Sequence, residues 1–98
     1  MVIEFLTFDV PVDRRDAWME REEAVWSRFL EAQPGFVRKE LWGSDDEGDE
    51  GTVHAVIWWE STDQWKAIGP ETVAGVDALM GDLLIEPTCR SWRVLREC

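Results

Sequence analysis

The run from Val53 to Trp65, VHAVIWWESTDQW, constrains the fold more than any other stretch of this chain. Its first seven residues are rich in β-branched and aromatic side chains and read as a strand. Ser61, followed three residues later by Gln64, is a capping-box pattern that starts a helix almost at once. Side chains alternate across a strand, so Val53, Ala55, Ile57 and Trp59 fall on one face, and His54, Val56 and Trp58 on the other. The apolar set is expected to lie under helices, and the mixed set to face outward.

The flanking sequence supplies partners for this strand. Val2 to Phe8 reads as a first strand, stopped by Asp9-Val10-Pro11. Asp13 is the expected N-cap of a long helix in which Trp18, Val25, Phe29 and Ala32 form an apolar stripe at helical period. Pro34-Gly35 ends that helix. Phe36 to Trp42 is a second strand, and the acidic segment Gly43 to Gly51 is a turn. Its carboxylates lack the alternate-position spacing of a calcium loop, which favours a solvated hairpin tip. Thr52 to Glu60 is the third strand, and the helix after it is broken at Gly69-Pro70. Pro70 is then the first residue of a further helix with Val73, Val76, Met80, Leu83 and Leu84 inward. Glu86-Pro87 stops it, and Cys89 to Leu95 is the last strand.

The order β-α-β-β-α-β, with room for one strand between the ends of each crossover, predicts an α+β fold. It is a ferredoxin-like plait with a four-stranded antiparallel sheet and both helical segments on one face. Ninety-eight residues are one domain's worth of chain, so residues 1–98 are expected to form one domain. The net charge of −11, from 21 acidic against 10 basic residues, would repel phosphate backbones and anionic lipid, so neither nucleic acid nor a membrane is expected as a partner. No apolar run approaches the roughly 18 residues of a membrane span, and Met1 to Glu4 carries no secretion signal, which predicts a cytoplasmic protein. Cys89 and Cys98 show no CxxC spacing and no accompanying histidines, so free thiols are expected and no metal site.

Parity within each strand assigns the two sheet faces. Ile3, Phe5, Val37, Leu41, Trp92 and Val94 join the inward set of the third strand. Glu4, Leu6, Phe8, Phe36, Ser91 and Arg93 are assigned to the open face with Arg38, Glu40, Trp42, Leu95 and the His54 set. A face so rich in aromatics is larger than monomers usually expose, which predicts a homodimer with sheets meeting face to face. The interface then offers a cavity for a small ligand. His54 is the candidate general base, since imidazole is the side chain that ordinarily titrates near neutrality. Glu4, Arg38 and Arg93 are candidates to orient it or bind an anionic oxygen, and Phe8, Trp42, Trp58 and Trp65 to wall an aromatic ligand. Each also has a purely structural reading: Glu4 with either arginine as interface ion pairs, the aromatics as core.

The β-α-β-β-α-β order, Pro34-Gly35-Phe36, and VIWWES at Val56 to Ser61 followed by Trp65 resemble the antibiotic biosynthesis monooxygenase (ABM) domains of the dimeric α+β barrel superfamily. IEFLTF, PGFVRKELW and VIWWESTDQWKAI are similar to a small set of uncharacterised stand-alone bacterial domains of that superfamily. The resemblance covers nearly the whole chain. It implies a homodimeric barrel that binds a small apolar or aromatic molecule between sheet and helices, with Trp65 at the position of the family's second-helix tryptophan. It also implies either cofactor-independent monooxygenase activity, with no cofactor, or a non-enzymatic ligand-binding or dimerisation module.

Overall fold

The computed structural model describes residues 1–98. Strand β1 is Val2–Asp9, and a 3-10 turn at Val12–Arg14 leads into α1, Arg15–Glu22. A π-helical turn at Glu23–Ser27 joins α1 to α2, Arg28–Glu31. Strands β2, Phe36–Gly43, and β3, Thr52–Trp59, form the hairpin. Helices α3, Thr62–Lys66, and α4, Pro70–Ala78, and a 3-10 turn at Gly81–Leu83 precede β4, Thr88–Arg93. All neighbouring strands are antiparallel, in the order β2-β3-β1-β4. Each crossover therefore skips one strand, and the expected α+β ferredoxin-like sheet is what forms.

The helix starts follow local chemistry in one case and not in the other. The Ser61 side chain accepts a hydrogen bond from Gln64 N at 3.2 Å, as its capping pattern requires, and Gly69 caps α4 with Pro70 in the first turn. Asp13 caps nothing, because the chain enters α1 through a 3-10 turn that has no side-chain cap. The single long helix expected after it is interrupted by the π turn. Glu22 and Ser27 stand five residues apart, a spacing that a π turn brings to one side, and both bond to Lys39 Nζ there, at 2.5 and 2.6 Å to the two carboxylate oxygens and 2.9 Å to Ser27 Oγ.

Gly35 ties the exit of the first helical segment to the start of the second. Its φ of +86° lies in the left-handed region, and a Cβ there would come within 2.5 Å of the Gln64 side chain. Its carbonyl accepts Glu60 N at 2.8 Å. Glycine is thus required both by conformation and by close approach.

The register corrects half of the face assignment. Glu4 pairs with Ile57, Leu6 with Ala55 and Phe8 with Val53, so these three β1 residues share the helix-covered face. Ile3 and Phe5, expected beneath the helices, lie opposite Trp58 and Val56 on the open face. The apolar residues of β1 occupy both parities, so alternation within β1 did not decide which set faces the helices. On β4, Ser91 pairs with Glu4 and Arg93 with Val2, which puts them on the helix side, whereas Trp92 pairs with Ile3 and is open. A bulge between Phe36 and Arg38 turns Phe36 inward onto Trp59, with ring centroids 6.1 Å apart. Leu41 on β2 and all of β3 are as expected.

β4 ends at Arg93, so Val94 and Leu95 are not strand residues, and Leu84 is exposed where the helical stripe placed it inward. Cys89 and Cys98 are both free.

The core is split. Phe8, Val10, Trp18, Val53, Ala55, Met80 and Leu83 form one cluster, and Val2, Leu30, Ile57, Trp59 and Trp65 another. Leu6 and Trp26 touch both. The space between the clusters holds the candidate site.

Candidate functional site

A cavity of about 330 Å³ lies between the sheet and the helices. β1 lays Glu4, Leu6 and Phe8 along its floor with Ile57 of β3 beside them. Trp18, Glu22, Trp26 and Leu30 line one side, and Trp65, Lys66, Ile68 and Val73 another, with Asp77, Met80 and Cys89 also on the wall. The lining is mostly hydrophobic, as in small-molecule sites that use a few polar groups to fix orientation.

Those polar groups are mostly spoken for. Trp59 Nε1 donates to Glu4 Oε1 at 3.1 Å, and Trp26 Nε1 donates to Asp77 Oδ1 at 3.0 Å, tying the π turn to α4. Glu22 is held by Lys39 in an ion pair whose side chains are only 4% and 6% exposed. Burial pulls the Lys39 pKa down from 10.5, against the opposing pull of Glu22. Lys66 Nζ stands 4.1 Å from the centroid of the Trp65 ring. Trp18 Nε1 is the exception, a buried N–H with no acceptor in the protein. Such a donor costs about 1–3 kcal/mol while unpaired.

Glu4 is the carboxylate that remains addressable. Desolvation raises its pKa above 4.5, partly opposed by the Trp59 hydrogen bond and by the charges of Lys66 and Lys39. A carboxylate so placed accepts protons more readily than one in water, a property associated with acid–base sites. Partial desolvation and the charge of Glu4 raise the Cys89 thiol, which keeps it protonated.

The structure divides the residues singled out from sequence. Glu4, Phe8 and Trp65 meet in the cavity. His54, Arg38, Trp42 and Trp58 meet on the opposite, open face of the sheet. There His54 Nδ1 is hydrogen-bonded to Thr7 Oγ1 at 3.0 Å, and its ring lies 4.8 Å from that of Phe5. Arg38 sits 4.0 Å over the Trp58 ring and 3.6 Å from Glu40. Arg93 is exposed at the end of edge strand β4 and joins neither group. Glu4 and Arg93 are therefore not beside His54, because β1 and β4 carry the opposite parity to the one expected.

Glu22, Lys39 and Trp18 were not recognised as site residues. A signal existed for the first two: Glu22 falls four residues after Trp18, inside the apolar stripe, and Lys39 interrupts an otherwise apolar strand face. Opposite charges embedded in two facing apolar surfaces mark a buried pair.

A four-stranded antiparallel sheet with helices on one face and an apolar cavity between them is the ABM-like α+β architecture. Solved structures agree. A protein assigned as an antibiotic biosynthesis monooxygenase from Nitrosomonas europaea superposes with a TM-score of 0.72 at 14% identity, covering 98% of this chain and 100% of that one. The monooxygenase of the gene ActVA-Orf6 from Streptomyces coelicolor, solved with Nanaomycin D, gives 0.77 at 14%, covering 99% and 89%. The heme-degrader MhuD from Mycobacterium tuberculosis, with two hemes in its active site, gives 0.75 at 20%, covering 100% and 99%. At these identities the likeness is one of fold. No protein-family model and no curated protein matches the chain.

Proposed function

We propose that this protein binds a small, largely apolar aromatic molecule in the cavity between sheet and helices, as a homodimeric ABM-like barrel. The cavity carries the reading: apolar walls of indole and aliphatic side chains surround a few polar groups, among which Glu4 is partly desolvated. Fold neighbours in complex with Nanaomycin D or with heme support ligand binding in this architecture. Oxygenation without a cofactor would rely on an electron-rich ligand, with Glu4 handling the proton. The second reading, a non-enzymatic binding module, is favoured by the placement of His54 on the far face, outside the cavity. The chain's one histidine is on that far face, so no imidazole reaches the cavity as an iron ligand.

Titration with 2-naphthol, followed by tryptophan fluorescence with oxygen uptake measured in the same sample, tests the reading. Saturable quenching is expected, weakened at least about tenfold by Val73→Trp, which fills the cavity from α4. Absence of saturable quenching in the wild type would end the ligand-binding reading. Oxygen uptake with product formation separates the enzyme from the module.

The open face supports the dimer. Trp42 is 43% and Trp92 47% exposed, and half-buried Ile3, Phe5 and Trp58 lie between them on adjacent strands. Covering such a patch releases about 25 cal/mol for each Å² of apolar surface. Light scattering at micromolar concentration is expected to give twice the chain mass, and Trp42→Glu with Trp92→Glu to give the monomer. A monomeric wild type would refute the sheet-to-sheet assembly.

A further inference from the structure

The open face of the sheet differs in charge from the rest of the molecule. The chain carries a net charge of −11, yet the charged strand residues that register places on this face are Asp9 and Glu40 against Arg38 and Arg90. The two acids balance the two bases. A two-fold interface brings the same patch of both copies together and so requires a patch that complements itself, which this balance and the exposed Trp42 and Trp92 provide. His54 is the one side chain of the face that can upset the balance near neutrality, since imidazole ordinarily takes up a proton between pH 5 and 8. It is half-buried on the inner strand β3, between Thr7 of β1 and Trp42 of β2. Thr7 Oγ1, 3.0 Å from Nδ1, is its only hydrogen-bond partner, and the Phe5 ring packs beside it. The charged groups around it are engaged elsewhere or further along the strands. Glu40 accepts Trp42 Nε1 at 2.9 Å and faces Arg38 Nε at 3.6 Å. Arg38 and Arg90 lie over the rings of Trp58 and Trp92, and Asp9 pairs with Thr52, beyond Thr7. A neutral imidazole is satisfied in this setting, whereas an imidazolium gains no carboxylate from it.

We propose, resting on the sheet-to-sheet dimer above, that His54 is an acid-sensitive switch of that dimer, neutral when the two faces meet and protonated when they part. In a separated chain, water solvates the imidazolium. In the dimer the same charge is drawn from water into a layer of aromatic side chains with a hydroxyl as its partner, and burying a charge without a counter-charge is costly. The second copy brings its own His54, so protonation adds two positive charges to an interface that is otherwise balanced. Dissociation therefore takes up as many as two protons per dimer, one on each copy. By linkage, the dissociation constant rises by up to about a hundredfold for each pH unit below the midpoint. The rest of the chain acts in the opposite direction. With a net charge of −11, protonation of its surface carboxylates relieves repulsion between copies, so weakening on acidification has to come from a group on the face itself.

Sedimentation equilibrium from about pH 8 down to about pH 5.5, the range in which imidazole titrates, tests the switch on the wild type, His54→Gln and His54→Phe. The wild-type dissociation constant is expected to rise about tenfold or more over this range and to recover when the pH is returned. Both variants are expected to stay dimeric, with a constant that is flat or falls as the pH is lowered. A wild-type dimer whose constant does not change with pH overturns the switch and leaves the dimer standing. A variant that keeps the wild-type pH dependence overturns the part given to His54. A wild type that is monomeric throughout removes the dimer and this proposal together. The wild type also supplies a test of its own, because its single histidine gives one set of ring resonances. By NMR, His54 is expected to take up its proton at lower pH in concentrated samples than in dilute ones, and a titration that does not depend on protein concentration overturns the proposal even where both variants fail to fold.

Discussion

Lys39→Met is expected to lower stability by about 3–5 kcal/mol, because it leaves Glu22 as an uncompensated charge in the interior. The two side chains are 6% and 4% exposed, and Lys39 Nζ also bonds to Ser27 Oγ. The loss comes from stranding a charge, so the double variant Lys39→Met with Glu22→Leu is expected to recover most of it. Replacing a whole buried pair with apolar groups of similar size is often neutral. Urea unfolding of Lys39→Met, Glu22→Leu, the double variant and the wild type measures the difference. Additive losses in the double variant would show that the pair does not act as a unit. Alkaline pH supplies a further check. The folded-state pKa of Lys39 lies below 10.5, so between that lowered value and 10.5 the unfolded chain holds more protons. Stability contributed by this group therefore rises as pH climbs through the window, a rise that Lys39→Met abolishes.

Trp59→Ala is expected to cost about 3–5 kcal/mol, the range for emptying a large aromatic from a core, since Trp59 is 0% exposed and packs edge-on against Phe36. The same change removes the hydrogen bond to Glu4, which restrains the rise in that group's pKa. Trp59→Phe separates the two effects. It retains most of the buried area, and the Glu4 pKa is expected to move further upward. Because that pKa already lies above 4.5 in the folded state, the folded chain holds more protons between 4.5 and the raised value. The contribution of Glu4 to stability is fully present below 4.5 and is lost as pH rises through that window. In Trp59→Phe the window extends to higher pH. Carboxyl resonances followed by NMR across acid and neutral pH report the shift, and an unmoved Glu4 would refute the role given to the indole N–H.

The order of elements, the capping of α3 by Ser61, the Gly69-Pro70 start of α4 and the faces of β3 were all legible from local pattern. Each depends on residues a few positions apart, and β3 carries its polar side chains at one parity and an apolar core set at the other. β1 was ambiguous because both of its faces carry large apolar side chains. Either parity gave a set with large apolar side chains, and the set containing Ile3 and Phe5 was the one placed inward. The π turn was invisible for a different reason. It is held by Lys39 of β2, seventeen residues from Glu22, and although Glu22 inside the apolar stripe signals a buried partner, nothing local signals the widened turn.

The VHAVIWWESTDQW stretch determined by itself that a strand passes into a capped helix, and which of its side chains face the core. With the remaining strand and helix patterns, it determined a ferredoxin-like α+β topology. Tertiary structure alone decided that Glu4, Phe8 and Trp65 share a cavity while His54 and Trp58 lie behind the sheet. The physical reason is register. Sequence alternation divides each strand into two sets, but which set of β1 lies beside which set of β3 is settled only when the hydrogen bonds between the strands form.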